Sequence, residues 1–127
     1  MRFWLIVAGI DGAALILLGA YGAHNVALDA ETRRWFDTAW QYQALHAVAL
    51  LVLAIAMGAL PFGRFARLSV HVAAILFLAG TVLFAGSLYH LALAGTIALP
   101  MAAPIGGGAF ILGWVAIALA GLIQRHA

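Results

Sequence analysis

The chain has no cysteine and no lysine, and only four of its 127 residues are Asp or Glu. The missing thiols exclude disulfides, thiolate nucleophiles and Cys-type zinc or iron–sulfur sites. Charged residues make up 8% of the chain, against about 25% in a soluble domain. A water-facing surface cannot be built from so few. Six Arg set a basic balance with formal net charge +2. No basic patch interleaved with aromatics accompanies them, so nucleic acid is not an expected partner. Proline is equally scarce, at three residues, so long stretches run without a breaker.

What fills the chain is apolar: 67% of residues are hydrophobic and the mean hydropathy is +1.12. Four long apolar runs extend over Phe3–Ala23, Ala44–Leu60, Ser69–Ala94 and Ile105–Ile123. A helix rises about 1.5 Å per residue, so about 20 residues cross a hydrocarbon core of about 30 Å. The backbone must satisfy its own hydrogen bonds in lipid, which leaves helices or closed barrels. These runs are too long and too poorly alternating for barrel strands. The expected fold is an all-α integral membrane protein: a single four-helix transmembrane domain over residues 1–127, in contact with the lipid bilayer.

The first run is longer than a signal-peptide core and contains Asp11, so it is expected to remain as the first span. The spans alternate in direction. Arg2, Arg64, Arg67 and Arg125 then share one side, against Arg33 and Arg34 on the other, where Asp29, Glu31 and Asp37 offset them. The positive-inside rule places both termini in the cytoplasm. Between the first two spans, Thr32, Trp35, Phe36 and Trp40 alternate with charges. Asp29 or Thr32 can cap a helix there. A short interfacial amphipathic helix is expected at the outer surface, turning into or continuous with the second span, with Trp35 and Trp40 as interface anchors. Pro61 and Gly63 end the second span. Pro100 and Pro104 bracket the third turn, and Pro104 suits the first turn of the fourth helix. No internal repeat supports an inverted-repeat transporter.

Polar residues collect at one end of the spans. Tyr21 and His24 close the first, Gln41, Tyr42, Gln43 and His46 open the second, and Ser87, Tyr89 and His90 lie late in the third. Tyr42 and His46 are spaced i, i+4. Gln43 with His46, and Ser87 with His90, are spaced i, i+3, so each pair shares a helix face. A converging outer-face cluster follows. It reads in two ways: a small-ligand or metal pocket, or hydrogen-bonded glue between helices. His46 is expected to point into the bundle, within hydrogen-bond reach of the first or third helix, near His24, Ser87 or Tyr89. The His spacing is not that of a metalloprotease, and no cofactor is specified. His71 and His126 are expected to be interfacial or solvated.

Asp11 lies near mid-membrane. Insertion of Asp at a helix centre costs about 2.5–3.5 kcal/mol, so such a residue faces the bundle interior. It lies thirteen positions from His24, about 140° away around the axis, which argues against a simple relay between the two. A neutral, inward-facing Asp11 is expected, bonded to a backbone carbonyl or to a side chain such as Thr81. Small residues at four-residue spacing, Gly9 with Ala13, Ala109 with Gly113, and Ala116 with Ala120, allow close helix contacts within the chain or between copies. Gly106–Gly108 lacks the Lys-Ser/Thr of a nucleotide loop.

Four segments carry a resemblance. Gly19-Ala20-Tyr21-Gly22-Ala23-His24 resembles the GAFGAH-type end of the first helix in the family called domain of unknown function 423. Tyr42-Gln43-Ala44-Leu45-His46-Ala47 is similar to its YQxxHA segment, and Phe84-Ala85-Gly86-Ser87-Leu88-Tyr89 to its FxGSLY segment. Pro104-Ile105-Gly106-Gly107 with Gly113-Trp114 resembles its PIGG…GW segment. The motifs fall in order across all four spans. His90 stands where the family more often has an apolar residue. The resemblance implies a small four-span protein of the bacterial inner (plasma) membrane, and it implies no activity.

The expectation is therefore a non-enzymatic membrane protein, acting as an accessory or scaffold subunit or binding a small ligand. A small transporter or proton-linked channel using Asp11 and the His/Tyr cluster is the first alternative. A metal- or haem-binding membrane protein is the second. A homo-oligomer or a membrane-protein partner stays open.

Overall fold

The computed structural model describes residues 1–25 and 27–124. Arg125 and His126 lie outside the described residues. Helix α1 spans Arg2–His24 and α2 spans Ala30–Ala59. The third span is one rod built of α3 (Arg64–Gly80), a π-helical turn (Thr81–Ala85) and α4 (Gly86–Ala94), and α5 (Ala102–Ile123) completes the bundle. These are four helices long and apolar enough to cross a membrane, of 23, 30, 31 and 22 residues. No described residue forms a strand.

The helix ends follow local chemistry. Asp29 caps α2: its Oδ1 accepts from the backbone N–H of Thr32 at 2.9 Å and of Glu31 at 3.0 Å, and the Thr32 hydroxyl adds a third bond. These N–H groups have no partner inside the helix, and they hold the Asp29 carboxyl below the usual carboxylate range, with Thr32 the main cause. The last carbonyls of α1 are satisfied from α2, because the Arg33 guanidinium donates to the carbonyls of Gly22 and Asn25 at 3.2 and 3.0 Å. The rod of the third span stops at Gly95, whose φ of +71° a side chain would strain. Gln124 ties the end of α5 to the α2–α3 loop. It accepts from Gly63 N–H and donates to the Pro61 carbonyl, both at 3.1 Å.

The amphipathic stretch before the second span is not a separate element. Ala30–Trp40 forms the first turns of a single α2. It is held there because its aromatics pack into α1 rather than lie on the surface. The Phe36 ring sits where Gly22 lacks a side chain, and Trp40 covers Gly19. Trp40 also donates its indole N–H to the Leu15 carbonyl at 3.0 Å.

Helices α3 and α5 approach most closely, through reciprocal fits of ring on glycine. Phe110 of α5 covers Gly80, and Phe77 of α3 covers Gly113. Gly106 rests against the backbone of Leu83 and Phe84 in the π turn. Ala109, Gly113, Ala116 and Ala120 are buried, as their spacing predicts. Gly9 and Ala13 are exposed instead, and the close-packed glycines of α1 are Gly19 and Gly22.

Candidate functional site

Asp11, Gln43 and Tyr89 form a buried chain of hydrogen bonds across three helices. Gln43 lies on the face of α2 that carries the buried Ala39, His46, Ala47 and Leu50, so its amide enters the core. Its Nε2 donates to Asp11 Oδ1 of α1 at 2.7 Å, and its Oε1 accepts from the Tyr89 hydroxyl of α4 at 2.7 Å. The three residues are 8%, 4% and 9% exposed, so each bond is made in a setting where an unmade one is costly. The remaining carboxyl oxygen, Asp11 Oδ2, and the Thr81 hydroxyl are buried without a partner. Gln43 therefore takes the place proposed for Thr81 as the partner of Asp11. The amide offers both a donor and an acceptor, and it bridges the Asp11 carboxyl to the Tyr89 hydroxyl.

One turn further along α2, His46 is 2% exposed. Its Nδ1 is 2.7 Å from the Tyr42 carbonyl, which can only accept, so Nδ1 carries the proton. Its Nε2 accepts from the Trp114 indole N–H of α5 at 3.2 Å. The ring is the neutral Nδ1–H tautomer with both nitrogens engaged. It stacks on Phe110 with centroids 3.6 Å apart and meets the edge of Phe77. The expected partner on the first or third helix is corrected to Trp114 on the fourth. Trp114 can only donate, and it finds in His46 a buried acceptor that the apolar fourth span does not itself supply.

The rest of the expected cluster does not converge. Tyr21 and His24 are exposed on α1, where the Tyr21 hydroxyl accepts from Asn25 Nδ2 at 3.2 Å. Tyr42 is 44% exposed, against Phe84. Ser87 donates to the Phe84 carbonyl at 3.0 Å, inside its own rod. His90 is exposed and lies 3.3 Å from the Thr96 hydroxyl. Helical spacing put these residues at one end of the bundle but could not say which faces look inward. Among the described residues no three His, Asp or Glu side chains meet as a metal site would require. His71 is half-buried rather than solvated, and its Nδ1 accepts the Trp4 indole N–H at 3.0 Å. Sequence reasoning missed both Trp–His pairs. The signal was an indole N–H in an apolar span, which needs an acceptor.

The sequence profile of the family described as "Protein of unknown function (DUF423)" matches residues 18–107. The chain is 38% identical over 117 residues to a UPF0382 membrane protein of Haemophilus influenzae, covering 91% of this chain and 90% of that protein. It is 39% identical over 127 residues to a UPF0382 inner membrane protein of Escherichia coli K12, covering 97% and 91%. It is 31% identical over 124 residues to a UPF0382 membrane protein of Staphylococcus aureus, covering 94% and 95%. No solved structure matches.

Proposed function

The chain belongs to the DUF423 family of membrane proteins, and from that premise we propose a non-enzymatic role as an accessory or scaffold subunit of the bacterial inner membrane. One observation carries this reading. The Gln43 and His46 side chains are fully engaged within the bundle: both ends of the Gln43 amide and both nitrogens of His46 are taken by the chain itself. A catalytic or ligating site presents free groups to a cleft, whereas these lock α1, α4 and α5 onto α2. Residues 1–127 act as one bundle, and both termini face the cytoplasm, with Arg2, Arg64 and Arg67 on that side. Tyr21, His24, Tyr42, Ser87 and His90 are then positions at the outer interface rather than ligands.

A second reading, a proton-linked channel or transporter, is favoured by Asp11 Oδ2, a buried carboxyl oxygen without a partner. Purified protein in liposomes loaded with a pH-sensitive dye separates the two. Under an imposed proton gradient the scaffold reading expects the same flux as empty liposomes. Flux above that level, abolished by Asp11→Asn, would replace it with the transport reading.

A further inference from the structure

The four acidic residues of the chain are Asp11, Asp29, Glu31 and Asp37. The last three lie at the end of the bundle where α1 stops and α2 starts, and Asp11 is buried against Gln43. The opposite end carries Arg2, Arg64 and Arg67 with no carboxylate to offset them among the described residues. Met1 packs on Gly58 there, which places the start of α1 beside the end of α2 and the α2–α3 loop.

At that end lies a groove of about 850 Å³ between the start of α3 and the end of α5. Its shape is fixed by Gln124, which holds Gly63 and Pro61 by two hydrogen bonds. Its lining is amphipathic. Arg64 supplies a guanidinium, and Phe65 and Leu122 supply apolar surface that is 71% and 82% exposed. A cation that no carboxylate offsets among the described residues, above exposed apolar side chains at the end of two spans, matches a molecule with an anionic head and a hydrocarbon tail.

We propose that this groove seats an anionic phospholipid, with its phosphate on Arg64 and its acyl chain over Phe65 and Leu122. Arginine suits a phosphate because its planar fork can donate two parallel hydrogen bonds. Arg67, one turn further along α3, adds to the field.

The test uses the full chain in nanodiscs of phosphatidylcholine alone or with phosphatidylglycerol, comparing wild type, Arg64→Gln and, at the opposite end, Arg34→Gln. Native mass spectrometry counts retained phosphatidylglycerol, and thermal unfolding reports folding in each case. We expect wild type and Arg34→Gln to retain phosphatidylglycerol over phosphatidylcholine and to melt higher with it. Arg64→Gln should fold but lose about fivefold in that preference, the scale of one basic residue at an anionic surface. Equal retention by wild type and Arg64→Gln would overturn the proposal, as would an equal loss in Arg34→Gln. Inorganic phosphate that raises the wild-type melting temperature in phosphatidylcholine as far as the lipid does would also overturn it, by making the ligand a free anion.

Discussion

The Tyr89 hydroxyl donates to Gln43 Oε1 at 2.7 Å, across 46 positions of sequence, and thereby fastens α4 to α2 in the bundle core. The same amide holds Asp11 from its other end. Removing the amide strands a hydroxyl and a carboxyl oxygen together, whereas removing the hydroxyl strands only one acceptor. Interhelical hydrogen bonds in membrane proteins average about 0.6 kcal/mol and reach about 1.7 kcal/mol. Gln43→Leu should therefore destabilise more than Tyr89→Phe, by about the value of one such bond. Unfolding in detergent as the denaturant fraction rises measures both. Equal losses would mean that the Asp11 bond contributes nothing.

Glycine at two neighbouring positions of α5 should respond in opposite directions. A Cβ on Gly106 would run into the backbone of Leu83 and Phe84, which cannot move aside as a side-chain tip can. A Cβ on Gly108 meets nothing within 4 Å. Alanine is favoured over glycine in a helix interior by about 0.8–1 kcal/mol. Gly108→Ala should raise the melting temperature slightly. Gly106→Ala should lower it by forcing α5 off the π turn, and that turn should then lose protection from hydrogen exchange.

Acid should loosen the start of α2. The Asp29 carboxyl is held below its ordinary range by the N–H and hydroxyl of Thr32 and the N–H of Glu31. A lowered folded-state value means that the contribution of the cap is complete above the unfolded value of about 3.9 and disappears as pH falls through the folded value. Asp29→Ala should melt below wild type at pH 7, and the two curves should converge once pH has fallen below the lowered folded-state value. Curves that stay parallel over that range would show that the charge on Asp29 does not support the helix.

The four spans were legible because each apolar run is as long as a bilayer is thick, and nothing soluble explains such runs. The buried partners were legible only in part. Gln43 and His46 share a helix face by their spacing, so their common burial could be read, and both are buried. Which neighbouring helix each would meet depends on rotation and tilt, and hydropathy does not carry that information. Tyr21 and His24 illustrate the same limit: they share the level of the cluster but stand on a part of α1 turned away from it. The π turn at Thr81–Ala85 had no sequence signal at all. It is a matter of register between two packed helices, fixed where Gly106 lets α5 touch the backbone.

Asp11 separates glue from transport most sharply through its coupling to Gln43. If the carboxyl serves to hold α1 against α2, the two side chains share one interaction at 2.7 Å, and deleting either deletes it. A double-mutant cycle of Asp11→Ala, Gln43→Ala and the pair should then give a coupling energy of about 0.6–1.7 kcal/mol. Asp11→Asn keeps an oxygen that can accept from the Gln43 amide, so it should retain most of the wild-type stability. A coupling near zero would show that the bond is not what holds Asp11 in the core. The oxygen left without a partner, Oδ2, would then be the feature to pursue, and the liposome flux measurement with Asp11→Asn would decide what it carries.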